Sequence, residues 1–142
     1  MSRREPRWLA RLAVDSIHSE LLREHGGSAG LRDENLLESA LARPRHLVAY
    51  RSTVHLAQLA AAYGFGIARN HPFVDGNKRT ALMAMYVFLG LNGWELAADE
   101  EDAVRTVLDL AAGTLEEADL ATWLRKHARR AAAKSPGRRK PR

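Results

Sequence analysis

The residues best suited to chemistry lie close together, in "RNHPFVDGNKRTALMAMYVFLGLNG", residues 69–93. His71 carries an imidazole, a side chain suited to take a proton from an attacking hydroxyl. Asp75 offers a carboxylate oxygen to Mg²⁺, which binds through one or two carboxylates plus phosphate oxygens and water. Gly76 leaves the backbone open to close approach, and Gly76, Asn77 and Lys78 place free N–H groups at the start of a helix, an anion site with the dipole behind it. Lys78 and Arg79 stand where cations oppose that dipole. Bound phosphate removes the conflict, and both cations can then neutralise charge on a transferred phosphoryl group. Arg69, two residues before the histidine, is a further candidate for the same site.

Each residue also has an ordinary reading. A loop histidine can be structural, Asp75 a plain N-cap, Asn77 a hydrogen-bond partner of the loop backbone, and Lys78 and Arg79 surface cations. Their joint occurrence within 71–79, at a helix start, favours the functional reading. His18, His25, His46, His55 and His127 have no ligand-like spacing, so a zinc site is not expected, and the absence of cysteine excludes thiolate chemistry.

Helical periodicity supplies the elements that must position this stretch. Residues 7–24 place Leu9, Leu12, Ala13, Ile17 and Leu21 on one face. Asp33 is an N-cap for "ENLLESALAR", which Pro44 closes, whereas "RHLVAYRS" is undecided between extended and irregular. Thr53 caps a helix running to about Arg69, with Leu56, Leu59, Ala60, Tyr63 and Ile67 inward and Gly64 and Gly66 permitting close packing. Pro72 keeps His71 in the loop, Phe73 pins that loop to the core, and Asp75 caps a buried helix over 77–91 that Asn92-Gly93 ends. A short extended "WEL" leads to a helix over 100–112, and "TLEE" at 114–117 is a capping box for a last helix to about residue 130, with Trp123 and Leu124 in the core. The expected fold is an all-α bundle of about six helices with at most a short hairpin or extended segment.

At 142 residues the chain fits one domain with a real core. Its formal net charge of +5 divides unevenly: after Asp119 come nine basic residues and no acid, leaving 13 basic against 17 acidic in 1–124. Residues 1–128 therefore read as the helical domain and 129–142 as a basic, solvated, disordered tail. No aromatic residue is interleaved there to read bases, so specific nucleic-acid binding is not expected. No apolar run is long enough for a membrane span and no signal peptide is evident, which makes a cytoplasmic location the default.

"HPFVDGNKRTA" resembles the signature of the Fic/Doc superfamily, H-x-F-x-(D or E)-G-N-x-R, through His71, Phe73, Asp75, Gly76, Asn77 and Arg79. The likeness extends over roughly 8–127, where "HGGSAGLRDENLLESALARP" and "NGWEL" are similar to the small death-on-curing (Doc) toxins. Adenylylating Fic enzymes usually carry a glycine at the position of Lys78 and a second arginine at that of Leu82; Doc toxins carry the lysine and lack that arginine. The resemblance thus implies a Doc-like kinase that transfers the terminal phosphate of ATP to a threonine of elongation factor Tu and halts translation, restrained by a Phd-type antitoxin. It implies His71 as base, Asp75 as the Mg²⁺ ligand or acceptor guide, and Asn77, Lys78 and Arg79 as phosphate ligands, with Arg69 matching an arginine just before the motif in Doc-like members. No inhibitory Fic helix motif is evident, so an inhibitor acting in trans is expected. The alternatives are protein adenylylation and a non-catalytic binding module.

Overall fold

The computed structural model describes residues 5–51 and 53–132. Among them are six helices, α1 (Arg11–His25), α2 (Glu34–Tyr50), α3 (Leu56–Asn70), α4 (Asn77–Leu91), α5 (Glu100–Ala112) and α6 (Glu117–His127), and two strands, β1 (Trp94–Leu96) and β2 (Ala128–Arg130). The expected architecture is therefore present. The strands form a small antiparallel sheet, with Trp94 opposite Arg130 and Leu96 opposite Ala128, and not a hairpin: α5 and α6 lie between them in sequence. Arg129 and Arg130, grouped with the tail by charge, thus belong to β2, and Arg129 pairs with Glu95 at 2.7 Å. Residues 133–142, the rest of the proposed tail, lie outside the described residues. No helix among the described residues is long and apolar enough to cross a membrane.

α3 is the central helix. Ten of its fifteen residues are buried, from Ala57 to Ala68, so it is covered nearly all round, by α2, α4, α5 and α6. Small side chains make this possible. A Cβ on Gly66 would meet the Cα and Cβ of Ala40 at 3.0 Å, and one on Gly64 would collide with Met85. The two glycines are contact points with α2 and α4, as their cost within a helix suggests. Tyr63 is buried among them, and its hydroxyl accepts the N–H of Leu9 at 3.0 Å.

Several local expectations give way to packing. α2 does not stop at Pro44 but continues through it to Tyr50, and the undecided "RHLVAYRS" is largely its last two turns. Interior proline costs a helix about 3 kcal/mol, but here the residues beyond it keep their partners: Leu47 packs on the core and Arg45 lies over the Trp8 ring at 5.1 Å. On α1 the buried face is Val14, His18 and Leu21, rotated from the expected one, and Leu12 is 78% exposed. The offset arises because His18 counts as polar in a hydropathy pattern yet takes a core position. Trp123 is only partly buried, its indole N–H donating to Asp102, while Leu124 is fully buried.

The caps shift as well. Asp33 caps α2 as expected, accepting from the Leu36 N–H at 3.0 Å. The cap of α3 is His55 rather than Thr53: its Nδ1 accepts from Ala57 at 3.0 Å while Gln58 reaches back to the His55 N–H at 2.8 Å. The predicted box at 114–117 does not form, because Thr114 donates to the Asp109 carbonyl and Glu116 caps α6 without a side-chain bond. That helix ends at His127, where β2 begins. α1 is tied to α2 by Arg11, which reaches Asp15, Glu34 and Glu38 at 2.5–3.1 Å.

Two stability measurements follow. In urea unfolding, Gly66→Ala is expected to lose about 1–3 kcal/mol although alanine is the better helix former, whereas Gly90→Ala, with nothing within 4 Å of its new methyl, gains up to about 1 kcal/mol. The second concerns His55, whose pKa is held below its ordinary value by burial and then by the charge of Arg125. A depressed folded pKa means that stability is complete above the ordinary value of 6.5 and declines as pH falls through it. Between pH 7 and pH 5, His55→Asn, which keeps an N-cap that does not titrate, should lose less stability than the parent chain in chemical denaturation.

Candidate active site

The connection from α3 to α4 is built from backbone geometry first. His71 caps α3 in the left-handed conformation, φ 55 and ψ 53, and is the sole non-glycine residue with positive φ among those described. Such a conformation costs a non-glycine residue about 1–2 kcal/mol. The His71 N–H bonds the Ile67 carbonyl at 3.1 Å, and the His71 carbonyl accepts from Arg32 Nε at 2.7 Å. Arg32 Nη2 donates to the Asn70 carbonyl at 2.9 Å, and the N–H groups of Arg32 and Asp33 both bond the Pro72 carbonyl, at 2.7 and 3.0 Å. Leu31 and Phe73 form an antiparallel bridge, and the Val74 N–H bonds the Gly30 carbonyl at 3.0 Å. The glycine-bearing segment 26–33, which looks like an idle loop, is a strap along the whole connection.

Two buried side chains fix it from below. Asn77 is 3% exposed and clamps Phe73, its Oδ1 accepting the Phe73 N–H and its Nδ2 donating to the Phe73 carbonyl, both at 2.9 Å. Its side chain is therefore committed to the loop and is not free for phosphate. His18 is 6% exposed, stacks on Phe73 with ring centroids 3.8 Å apart, and its Nε2 donates to the Asp75 carbonyl at 2.8 Å. A carbonyl only accepts, so Nε2 carries the proton. The pinning role expected of Phe73 is present, and His18 is the residue that receives it.

Asp75 is not the N-cap of α4. That position belongs to Gly76, at φ 81 and ψ 15. The Asp75 carboxylate instead accepts from the Ser28 N–H at 3.1 Å and the Gly76 N–H at 2.9 Å. Those two bonds, the Ser28 one foremost, hold its pKa below the ordinary carboxylate value, with the charges of Arg79 and His18 adding to them. With no side chain capping α4, the amides of Asn77, Lys78 and Arg79 have no acceptor among the described residues. Lys78 and Arg79 are exposed and form no ion pair among the described residues.

A pocket of about 530 Å³ opens over these groups. His71, Asp75, Gly76, Asn77, Lys78 and Arg79 all line it, so the structure brings together six of the seven residues singled out from sequence. Arg69 is the exception. Its guanidinium donates to the carbonyls of Leu110 and Leu115, at 2.9 and 3.3 Å, and lies over Phe65, so it closes the end of α5 and does not reach the pocket. The facing wall comes from α5, with Val104, Val107 and Leu108 beside Leu82, and His25 and Glu100 stand at its edges. No cluster of three or more metal-ligating side chains occurs among the described residues. Asp75, exposed and ionised with one N–H on each oxygen, fits the single protein carboxylate that Mg²⁺ uses when phosphate and water complete its shell.

A helical domain with a histidine corner leading into an uncapped, cation-flanked helix start has the arrangement that suits an anion, and residues 8–89 match the Fic/DOC family model, so the chain belongs to that family. Two relatives stand out. The protein named Toxin Doc from Mycolicibacterium smegmatis is 48% identical over 75 residues, which are 52% of this chain and 58% of that protein. The protein named Protein kinase doc from Escherichia phage P1 is 33% identical over 111 residues, 78% of this chain and 87% of that one.

The strap, His18 and the α5 wall escaped the sequence reading. A histidine at the i+4 position from Val14 was the available signal for His18; nothing in the sequence distinguished Arg32 from an ordinary surface arginine. The clamp has a direct test. Asn77→Ala leaves the buried Phe73 N–H and carbonyl without partners and should lower stability by about 2–4 kcal/mol in chemical denaturation.

Proposed function

We propose that the protein is a Doc-type protein kinase, the toxin of a toxin–antitoxin pair, transferring the terminal phosphate of ATP to a serine or threonine hydroxyl of a translation factor. One observation carries the reading: the left-handed His71 corner, three amides without acceptors, and Lys78 and Arg79 all line a single pocket, with Leu82 on its wall where the adenylylating branch carries an arginine. The name of the phage P1 relative agrees with it.

In this reading the amides of Asn77, Lys78 and Arg79 cradle phosphate oxygens, and the Lys78 and Arg79 side chains neutralise them. His71 takes the proton of the acceptor hydroxyl as its oxygen bonds the terminal phosphorus. The bond from that phosphorus to the bridging oxygen breaks, and ADP leaves with the electron pair. Mg²⁺, when bound, offsets the charge on the phosphates, and Asp75 would be its protein ligand. The apolar wall of Leu82, Val104 and Leu108 is suited to the flat, weakly polar part of a nucleotide or to an acceptor side chain. The resemblance to Doc toxins makes elongation factor Tu the first acceptor to try and a Phd-like protein the expected antitoxin.

Incubation with elongation factor Tu and ATP labelled at the γ-phosphate should label the factor, and His71→Ala should reduce that labelling by at least about 10²-fold. Transfer of label from the α-phosphate would replace this reading with adenylylation. ATP binding without transfer to any translation factor in a cell extract would leave a binding module.

A further inference from the structure

Arg32 has no carboxylate partner among the described residues, although it is exposed and residues 1–124 carry 17 acidic against 13 basic residues. Its donors go instead to three successive carbonyls, Asn70, His71 and Pro72. The middle one belongs to the residue whose backbone is strained. Pro72 adds to that strain, because a residue before proline is driven towards extended geometry, with ψ near 120–160°. Turning ψ of His71 from 53° to that range would swing its carbonyl away from the guanidinium. Strained conformations persist where the surroundings over-determine them. Here the His71 N–H is fixed to α3 and its carbonyl to Arg32, and the same backbone angles decide where the imidazole points.

We propose that Arg32 is a positioning residue, whose fork on the Asn70 and His71 carbonyls holds His71 in the left-handed conformation that aims its ring into the pocket. The catalytic half of this inference rests on the reading of His71 as the base. Arginine is required because Nε and Nη2 serve two carbonyls at fixed spacing, which a lysine ammonium on a flexible stem does not reproduce. The phosphate-binding groups lie on α4 and owe nothing to Arg32, so its loss should separate turnover from nucleotide binding.

The test measures phosphoryl transfer and, by NMR, the Cα and Cβ shifts of His71 in the parent chain, Arg32→Ala and Arg32→Lys. For Arg32→Ala, kcat should fall about 10- to 100-fold with KM for ATP within about twofold, and the His71 shifts should leave their left-handed values. Arg32→Lys should lie between the two proteins in both readouts, and it carries the test alone if the alanine variant does not fold. A lower melting temperature with kcat per folded molecule and His71 shifts unchanged would overturn the proposal, since that is what a purely structural arginine gives. His71→Ala is assayed in parallel. If it retains activity, the base reading fails by itself, while the His71 shifts in the Arg32 variants still decide whether Arg32 sets that conformation.

Discussion

The site depends on how the chain leaves α3. Helix C-termini expose carbonyls, and a proline two residues on forbids the usual continuation. The chain solves this by borrowing partners from another segment: Arg32 and Asp33 donate to the carbonyls of Asn70, His71 and Pro72, the Gly30 carbonyl accepts the Val74 N–H, and the Ser28 N–H donates to the Asp75 carboxylate. The connection thus acquires hydrogen bonds on a par with a strand pair while keeping an irregular path. That path lets a histidine and the first turn of a new helix line one pocket.

The second constraint is electrostatic. α4 begins at a glycine, with no side-chain oxygen over its amides, and then adds two cations. Each choice raises the energy of the empty helix end. The chain offsets this locally by placing Asp75 at the entry, where two backbone N–H groups keep the carboxylate ionised, yet it leaves the amides themselves uncovered. A pocket assembled in this way is complementary to an anion before one binds, which is the preorganisation that the proposed phosphoryl transfer would use.

The sequence was most legible where one helix face or one stop signal decided the outcome. α4 and α5 run over the expected residues because continuous apolar spacing and Asn92-Gly93 or Gly113 leave little choice. Caps were the weak point. Thr53, Asp75 and Thr114 are all good capping residues by type, but each lost the position to a neighbour: His55, which forms a capping box with Gln58, and Gly76 and Glu116, which cap without a side-chain bond. Pro44 misled for the same reason, since the turns beyond it hold core contacts that a local rule does not see. At the site, residues that touch the pocket announced themselves by chemistry and spacing. Those that hold the pocket in shape, His18, Arg32 and the Ser28 amide, act through backbone atoms and left no such trace.

The small sheet has a consequence for how charge is distributed. By pairing with β1, β2 brings the basic end of the described chain to the far end of α4: Ala131 bonds the Gly93 carbonyl, while the uncapped amides lie at Asn77. Fifteen residues of helix separate the two, about 22 Å, well beyond the ~8 Å over which exposed charges act at physiological salt. Arg129 and Arg130 are therefore electrically insulated from the pocket. The charge of these two arginines is no guide to the field at the uncapped amides, and it can change without retuning that end of α4.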